Sequence, residues 1–176
     1  MDKVIKELES KPFSGEDIMT ICDGKTTIIK YPDLYEYRTI DEVLKPHNTV
    51  VILYETSPSY GHWVCLIKHT KPRQYIEYFD SYGMAVDKPL EYIPPNYRKM
   101  NNEEYPKLTE MLLSSKYPIK YNNHQLQQMY QDVASCGRHV AFRIVMKDIK
   151  LGEYIKLLTK TKLSPDMVVT YLTAFQ

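Results

Sequence analysis

Three β-type runs follow one another closely in the middle of this chain: Thr49 to Glu55, His62 to Lys68 and Gln74 to Asp80. The first is rich in β-branched residues and bounded by Pro46 and Pro58. The second alternates, with Trp63, Cys65 and Ile67 on one side and His62, Val64 and Leu66 on the other. The third carries Tyr75, Ile76, Tyr78 and Phe79 and stops at Ser81-Tyr82-Gly83. A short turn containing Pro72 joins the last two, which predicts an antiparallel hairpin. In such a pair the start of one strand lies beside the end of the other. The hairpin therefore brings His62 next to Asp80 at one edge of the sheet.

Helix signals flank these runs. Ser14-Gly15-Glu16-Asp17 is an N-cap followed by acid, opening a helix through Ile18 to Cys22 that stops near Gly24. Thr39-Ile40-Asp41-Glu42 repeats the pattern and leads a short helix to Leu44. Asn102 is expected to cap a helix from Glu103 to about Leu113, and Tyr117 to Gln127 reads as a further strand. Ser135 precedes a helix with good apolar spacing from Cys136 to Val145. Ser164-Pro165-Asp166 opens a last one, expected to bury Met167, Val168, Tyr171 and Leu172. The sum is an α+β fold: a small central antiparallel-rich sheet flanked by helices, in one domain spanning residues 1–176.

Composition removes several function classes. The net charge is +1, from 23 basic and 22 acidic residues, where a nucleic-acid platform would show a basic surplus. No apolar run approaches the ~20 residues of a membrane span. The N-terminal Met1-Asp2-Lys3 carries charge close to where a signal peptide places its apolar stretch, so an intracellular, non-secreted protein is expected. Three scattered cysteines make no disulfide framework and fit a reducing compartment, where a thiolate can work. The 16 tyrosines suit a peptide-binding groove as well as a core.

The chemistry concentrates on Cys136. A thiol at a helix N-terminus meets unpaired N–H groups and the positive end of the dipole, both of which favour the thiolate. Gly137 is expected to leave room for a substrate backbone, and the local N–H groups can hold an oxyanion. A thiol nucleophile needs a base and a group to orient that base, and the predicted His62–Asp80 pair supplies both. A metal-binding module is the alternative of another class, with His62-x-x-Cys65 and Cys136-x-x-His139 as four zinc-type ligands. Residues three apart on a strand face opposite ways, which counts against it. No metal and no cofactor are expected.

His62-Trp63, then Tyr78-Phe79-Asp80-Ser81, then a glutamine and Cys136-Gly137 occur in that order. The set resembles the adenain clan of papain-like cysteine proteases, which holds the adenovirus maturation protease and the SUMO-processing proteases. The wording Tyr121-Asn122, Leu126-Gln127 and Ser135-Cys136-Gly137-Arg138 is similar to capsid-maturation proteases of virophages, Maverick-type elements and giant DNA viruses. The resemblance covers about residues 50–147, the expected catalytic core. It implies Cys136 as nucleophile, His62 as base, Asp80 as orienting carboxylate and a glutamine in the oxyanion hole. Gln127 fits the motif first, Gln128 second and Gln131 third. It further implies a cleft walled by Trp63, and by Tyr60 and Tyr82 near it, and cleavage of capsid precursors after small or glycine-containing sites. The expected location is the virion and host-cell cytoplasm, with a peptide activator left open. An isopeptidase of ubiquitin-like modifiers is the alternative with the same chemistry.

Overall fold

The computed structural model describes residues 2–174. Helices α1 (Asp2–Glu9) and α2 (Gly15–Ile21) precede strand β1 (Thr27–Lys30), and a 3-10 helix (Tyr31–Glu36) and α3 (Ile40–Leu44) follow. Next come β2 (Thr49–Ser57), β3 (Tyr60–His69) and β4 (Tyr75–Phe79). A second 3-10 helix (Lys88–Tyr92), α4 (Pro95–Met100) and α5 (Lys107–Ser114) return the chain to β5 (Ile119–Tyr121). The chain then runs through α6 (Cys136–Val145), α7 (Leu151–Thr159) and α8 (Pro165–Thr173).

The strands lie in the order β1-β2-β3-β4-β5. The predicted hairpin forms, with Cys65 opposite Phe79 and Leu66 opposite Tyr78, and β2 pairs antiparallel to β3 on its other side. Only the edges are parallel, β1 to β2 and β5 to β4. Both faces of the sheet are covered, which is why β2 reads as an unbroken apolar run rather than an alternating one. Val51, Leu53, Trp63, Cys65, Ile67 and Phe79 face α2, α6, α7 and α8. Val50, Ile52, Tyr54, Val64, Leu66 and Tyr78 face α3, α5 and the first 3-10 helix.

Six segments depart from the sequence expectations. Strand β1 and helices α1 and α7 were not anticipated; β1 has four residues, and α7 begins at Leu151 after Lys150, which makes no side-chain cap. Helix α5 starts at Lys107 rather than Glu103, because Asn102 adopts φ +59° and Glu103 folds under to receive the Glu55 N–H. Tyr117 to Gln127 is strand only over β5. Beyond it the N–H groups of Leu126 and Gln127 both turn to the single Ser81 carbonyl, which no ladder permits. Helix α8 begins where Ser164 predicts, but it buries Val168, Val169, Thr170 and Thr173, leaving Tyr171 and Leu172 exposed. Asp166 is drawn inward by hydrogen bonds, and residues three, four and seven positions on follow it to the same face.

Candidate active site

Cys136 is the first residue of α6 and is 8% exposed. Its helix is buried on nearly every side and is fastened at the far end by Arg143. That guanidinium bonds Glu77 of β4 twice, at 2.7 and 2.9 Å, and reaches the Met146 and Ile149 carbonyls. Both side chains are fully buried, so removing either partner costs about 3–5 kcal/mol. At the near end a Cβ on Gly137 would come within 2.6 Å of Phe13 and 3.3 Å of Trp63. The space expected to admit a substrate backbone is therefore filled by the protein. Glycine stands there so that the helix can dock under these two rings.

His62 enters from the start of β3. Gly61 before it lies so close to β2 that a Cβ would meet the Tyr54 carbonyl oxygen at 2.0 Å, so the strand brings the imidazole tight against its neighbour. Nε2 of His62 is 2.9 Å from Oδ1 of the fully buried Asp80, and the Cys136 sulfur lies close enough to the imidazole to raise its pKa. Nε2 being committed to the carboxylate, Nδ1 is the nitrogen available to the thiol. Burial works against the imidazolium, but the Asp80 carboxylate and the Cys136 sulfur outweigh it, and the pKa rises to about 10. The ring stacks on Tyr82, centroids 4.8 Å apart. Asp80 is itself held: its Oδ1 accepts from the Tyr82 N–H and its carbonyl from Asn122 Nδ2, each at 2.8 Å. The structure thus brings His62, Asp80 and Cys136 together, with His62 facing the cleft and Asp80 buried behind it.

Of the three glutamines, Gln127 is 1% exposed, while Gln128 and Gln131 lie at the surface. Ser81 Oγ donates to Gln127 Oε1 at 2.7 Å, beside Asp80, so the amide Nε2 is the end left to donate elsewhere. Gln131 lines the cleft next to His62. Trp63 points to the opposite face of β3 from His62, is 7% exposed, and donates from Nε1 to the Phe13 carbonyl at 3.1 Å. It walls a second cavity with Gly15, Ile28 and Leu53. Tyr82 lies in the cleft, whereas Tyr60 is 53% exposed and outside it.

A second imidazole–carboxylate pair sits behind Cys136. Asp166 of α8 accepts from Ser135 Oγ at 2.5 Å, pairs with His139 Nε2 at 2.9 Å and accepts the Gln128 N–H at 2.9 Å. It ties the residue before the thiol, the next turn of α6 and the glutamine loop to one carboxylate. Nothing in the sequence marks this beyond an acid after a helix cap. The Asn122 bond to Asp80 had one signal, the Tyr121-Asn122 wording. The zinc arrangement does not assemble: Cys65 is buried on the far face of β3 and His139 is committed to Asp166. No group of three metal-type side chains converges among the described residues.

No family model matches the sequence. The "Uncharacterized protein V9" of Sputnik virophage is 37% identical over 175 residues, covering 97% of this chain and 99% of that protein. Among solved structures, the ASFV pS273R protease superposes with a TM-score of 0.51 at 16% identity, over 93% of this chain and 67% of that one. A looser match is the SUMO protease Ulp1 with its catalytic cysteine oxidized to a sulfinic acid, TM-score 0.38 and 16% identity over 89% and 73%. The α+β fold expected from the sequence is that of the ASFV protease.

Proposed function

We propose that this chain, which belongs to the family of Sputnik virophage protein V9, is a cysteine endopeptidase with Cys136 as nucleophile. One observation carries the reading: a cysteine at a helix N-terminus lies beside an imidazole whose Nε2 is held by a buried carboxylate at 2.9 Å. The Asp80 carboxylate holds His62 protonated against the cost of burial, so an imidazolium stands beside Cys136 before substrate arrives.

The thiolate attacks the scissile carbonyl carbon, and the oxygen takes the negative charge. The N–H groups of the first turn of α6 and Nε2 of Gln127 receive that oxygen. His62 gives its proton to the leaving amine, which departs and leaves a thioester on Cys136. Water then attacks the thioester carbonyl while His62 takes its proton. The acid product leaves and the thiolate is restored. Asp80 keeps the ring oriented and stabilises its charge throughout.

For substrate we assign capsid precursor proteins, cut after small or glycine-containing sites in the virion and host-cell cytoplasm. Support comes from the virophage relative and the fold shared with a viral protease, with Trp63, packed against Phe13, assigned to the acyl side. The test is to incubate the protein with capsid-derived peptides and, separately, with ubiquitin-like C-terminal amides. Cleavage of the peptides after glycine, abolished in Cys136→Ala, is the expected result. Turnover of the amides alone transfers the chemistry to deconjugation. No turnover of either, with Cys136 alkylated no faster than a free thiol, ends the reading.

A further inference from the structure

His62 walls one end of a cleft of about 350 Å³ whose lining is predominantly apolar. Its floor is made by buried Tyr54, whose hydroxyl is already committed to Asp87 at 3.0 Å, and by buried Pro89. Its rim is Tyr92, Met129 and Tyr130, which are 63%, 55% and 64% exposed. Three large apolar side chains left open to water around one cleft mark a surface that is covered in function. The cavity holds one or two side chains, too little for a folded partner's interface.

The direction of proton transfer says which half of a substrate comes here. In acyl transfer the imidazolium protonates the leaving amine, so that nitrogen must lie within hydrogen-bond reach of His62. The residue bearing it is the one immediately after the scissile bond. Trp63 packs by Phe13 and Gly137 and walls a cavity on the other face of β3, the side assigned to the acyl half under the peptidase reading. The cleft on the His62 face is left for the departing half.

We propose that this cleft is the subsite for the residue following the cut, selecting a large apolar or aromatic side chain, with Tyr92, Met129 and Tyr130 as its specificity determinants. This rests on the peptidase reading of Cys136 and His62. Met129 and Tyr130 belong to the irregular stretch between β5 and α6, so one loop supplies both the buried Gln127 and two of the rim side chains.

The test uses four fluorogenic peptides identical through the scissile glycine and differing only in the next residue: Phe, Leu, Ala or Asp. For the wild-type protein, kcat/KM for Phe and Leu should exceed that for Ala by at least about tenfold, with Asp lowest. In Tyr92→Ser and Met129→Ser the Phe-to-Ala ratio should fall to within about threefold. A flat profile, or an unchanged ratio in both variants, overturns the assignment. An acyl-side peptide aldehyde separates the two levels of failure. If it traps Cys136 while the profile is flat, only the subsite is wrong. If it leaves Cys136 untouched and none of the four peptides is cut, the peptidase reading falls with it.

Discussion

Two histidine–carboxylate pairs flank Cys136, and their bonds are equally long. His62 meets Asp80 and His139 meets Asp166, each through Nε2 and each at 2.9 Å. One pair opens on a cleft, lies beside the Cys136 sulfur, and stacks on Tyr82. The other is wholly buried, its Nδ1 has no hydrogen-bond partner, and its carboxylate is spent on Ser135 and the Gln128 backbone. Distance alone does not make a proton-transfer device. What separates the pairs is a thiol beside the ring and a way in for substrate. The cleft pair is placed to do chemistry, and the buried pair to hold the frame.

The largest effects should fall on the cleft side. Cys136→Ala and His62→Ala should each lower kcat by at least about 10⁴-fold in a peptide cleavage assay. Cys136→Ala should cost only about 1 kcal/mol in denaturant unfolding, since one sulfur is lost. Turnover within tenfold of wild type in either variant would remove the assignment of that residue.

Asp80→Asn should be milder than His62→Ala by one or two powers of ten, because the carboxylate orients without reacting. Its clearer signature is in titration. The raised imidazole pKa, about 10, should drop toward the ordinary 6.5 when the negative charge is removed, as followed by NMR of His62. The sign for stability follows from the same shift. The group's contribution is complete below about pH 6.5 and is lost as pH rises through about 10. A His62 resonance titrating unchanged in Asp80→Asn would show that the partner charge does not set it.

Gln127→Ala should cost about 10²–10³-fold in kcat, the usual effect of one lost oxyanion donor. Gln128→Ala and Gln131→Ala should stay within a few-fold. If Gln131→Ala proves the crippling change, the donor comes from the cleft rim rather than from beside Ser81.

The smallest change in turnover belongs to the buried pair. His139→Ala should destabilise by about 1–3 kcal/mol, leaving Asp166 one partner short, yet retain the wild-type pH–rate profile at low temperature. A shifted profile would erase the distinction between the two pairs.

How much of this was legible in the sequence depended on range. The β3–β4 hairpin, the caps at Ser14 and Ser164, and the meeting of His62 with Asp80 follow from local patterns, and the structure contains them all. Tyr117 to Gln127 reads as a strand from its sequence, and a pleat turns neighbours such as Gln127 and Gln128 to opposite faces. They do differ in burial, but through hydrogen bonds to Ser81, far away in the chain, rather than through a pleat. The inward turn of α8 is likewise set by Asp166 reaching three partners on other segments. Helix α7 carries no cap that a local reading could find.

Phe13 and Asp166 come from near opposite ends of the chain, and both touch the segment around Cys136. That placement sets a clock. During synthesis the thiol is made before the carboxylate that braces it, and the roughly thirty residues between them take about 2–6 s at 5–20 residues per second. Throughout that interval α6 has its N-terminal lid in hand but lacks the tether on Ser135 and on the glutamine loop. Until α8 is made, a newborn chain lacks the carboxylate that joins Ser135 and the glutamine loop to one anchor.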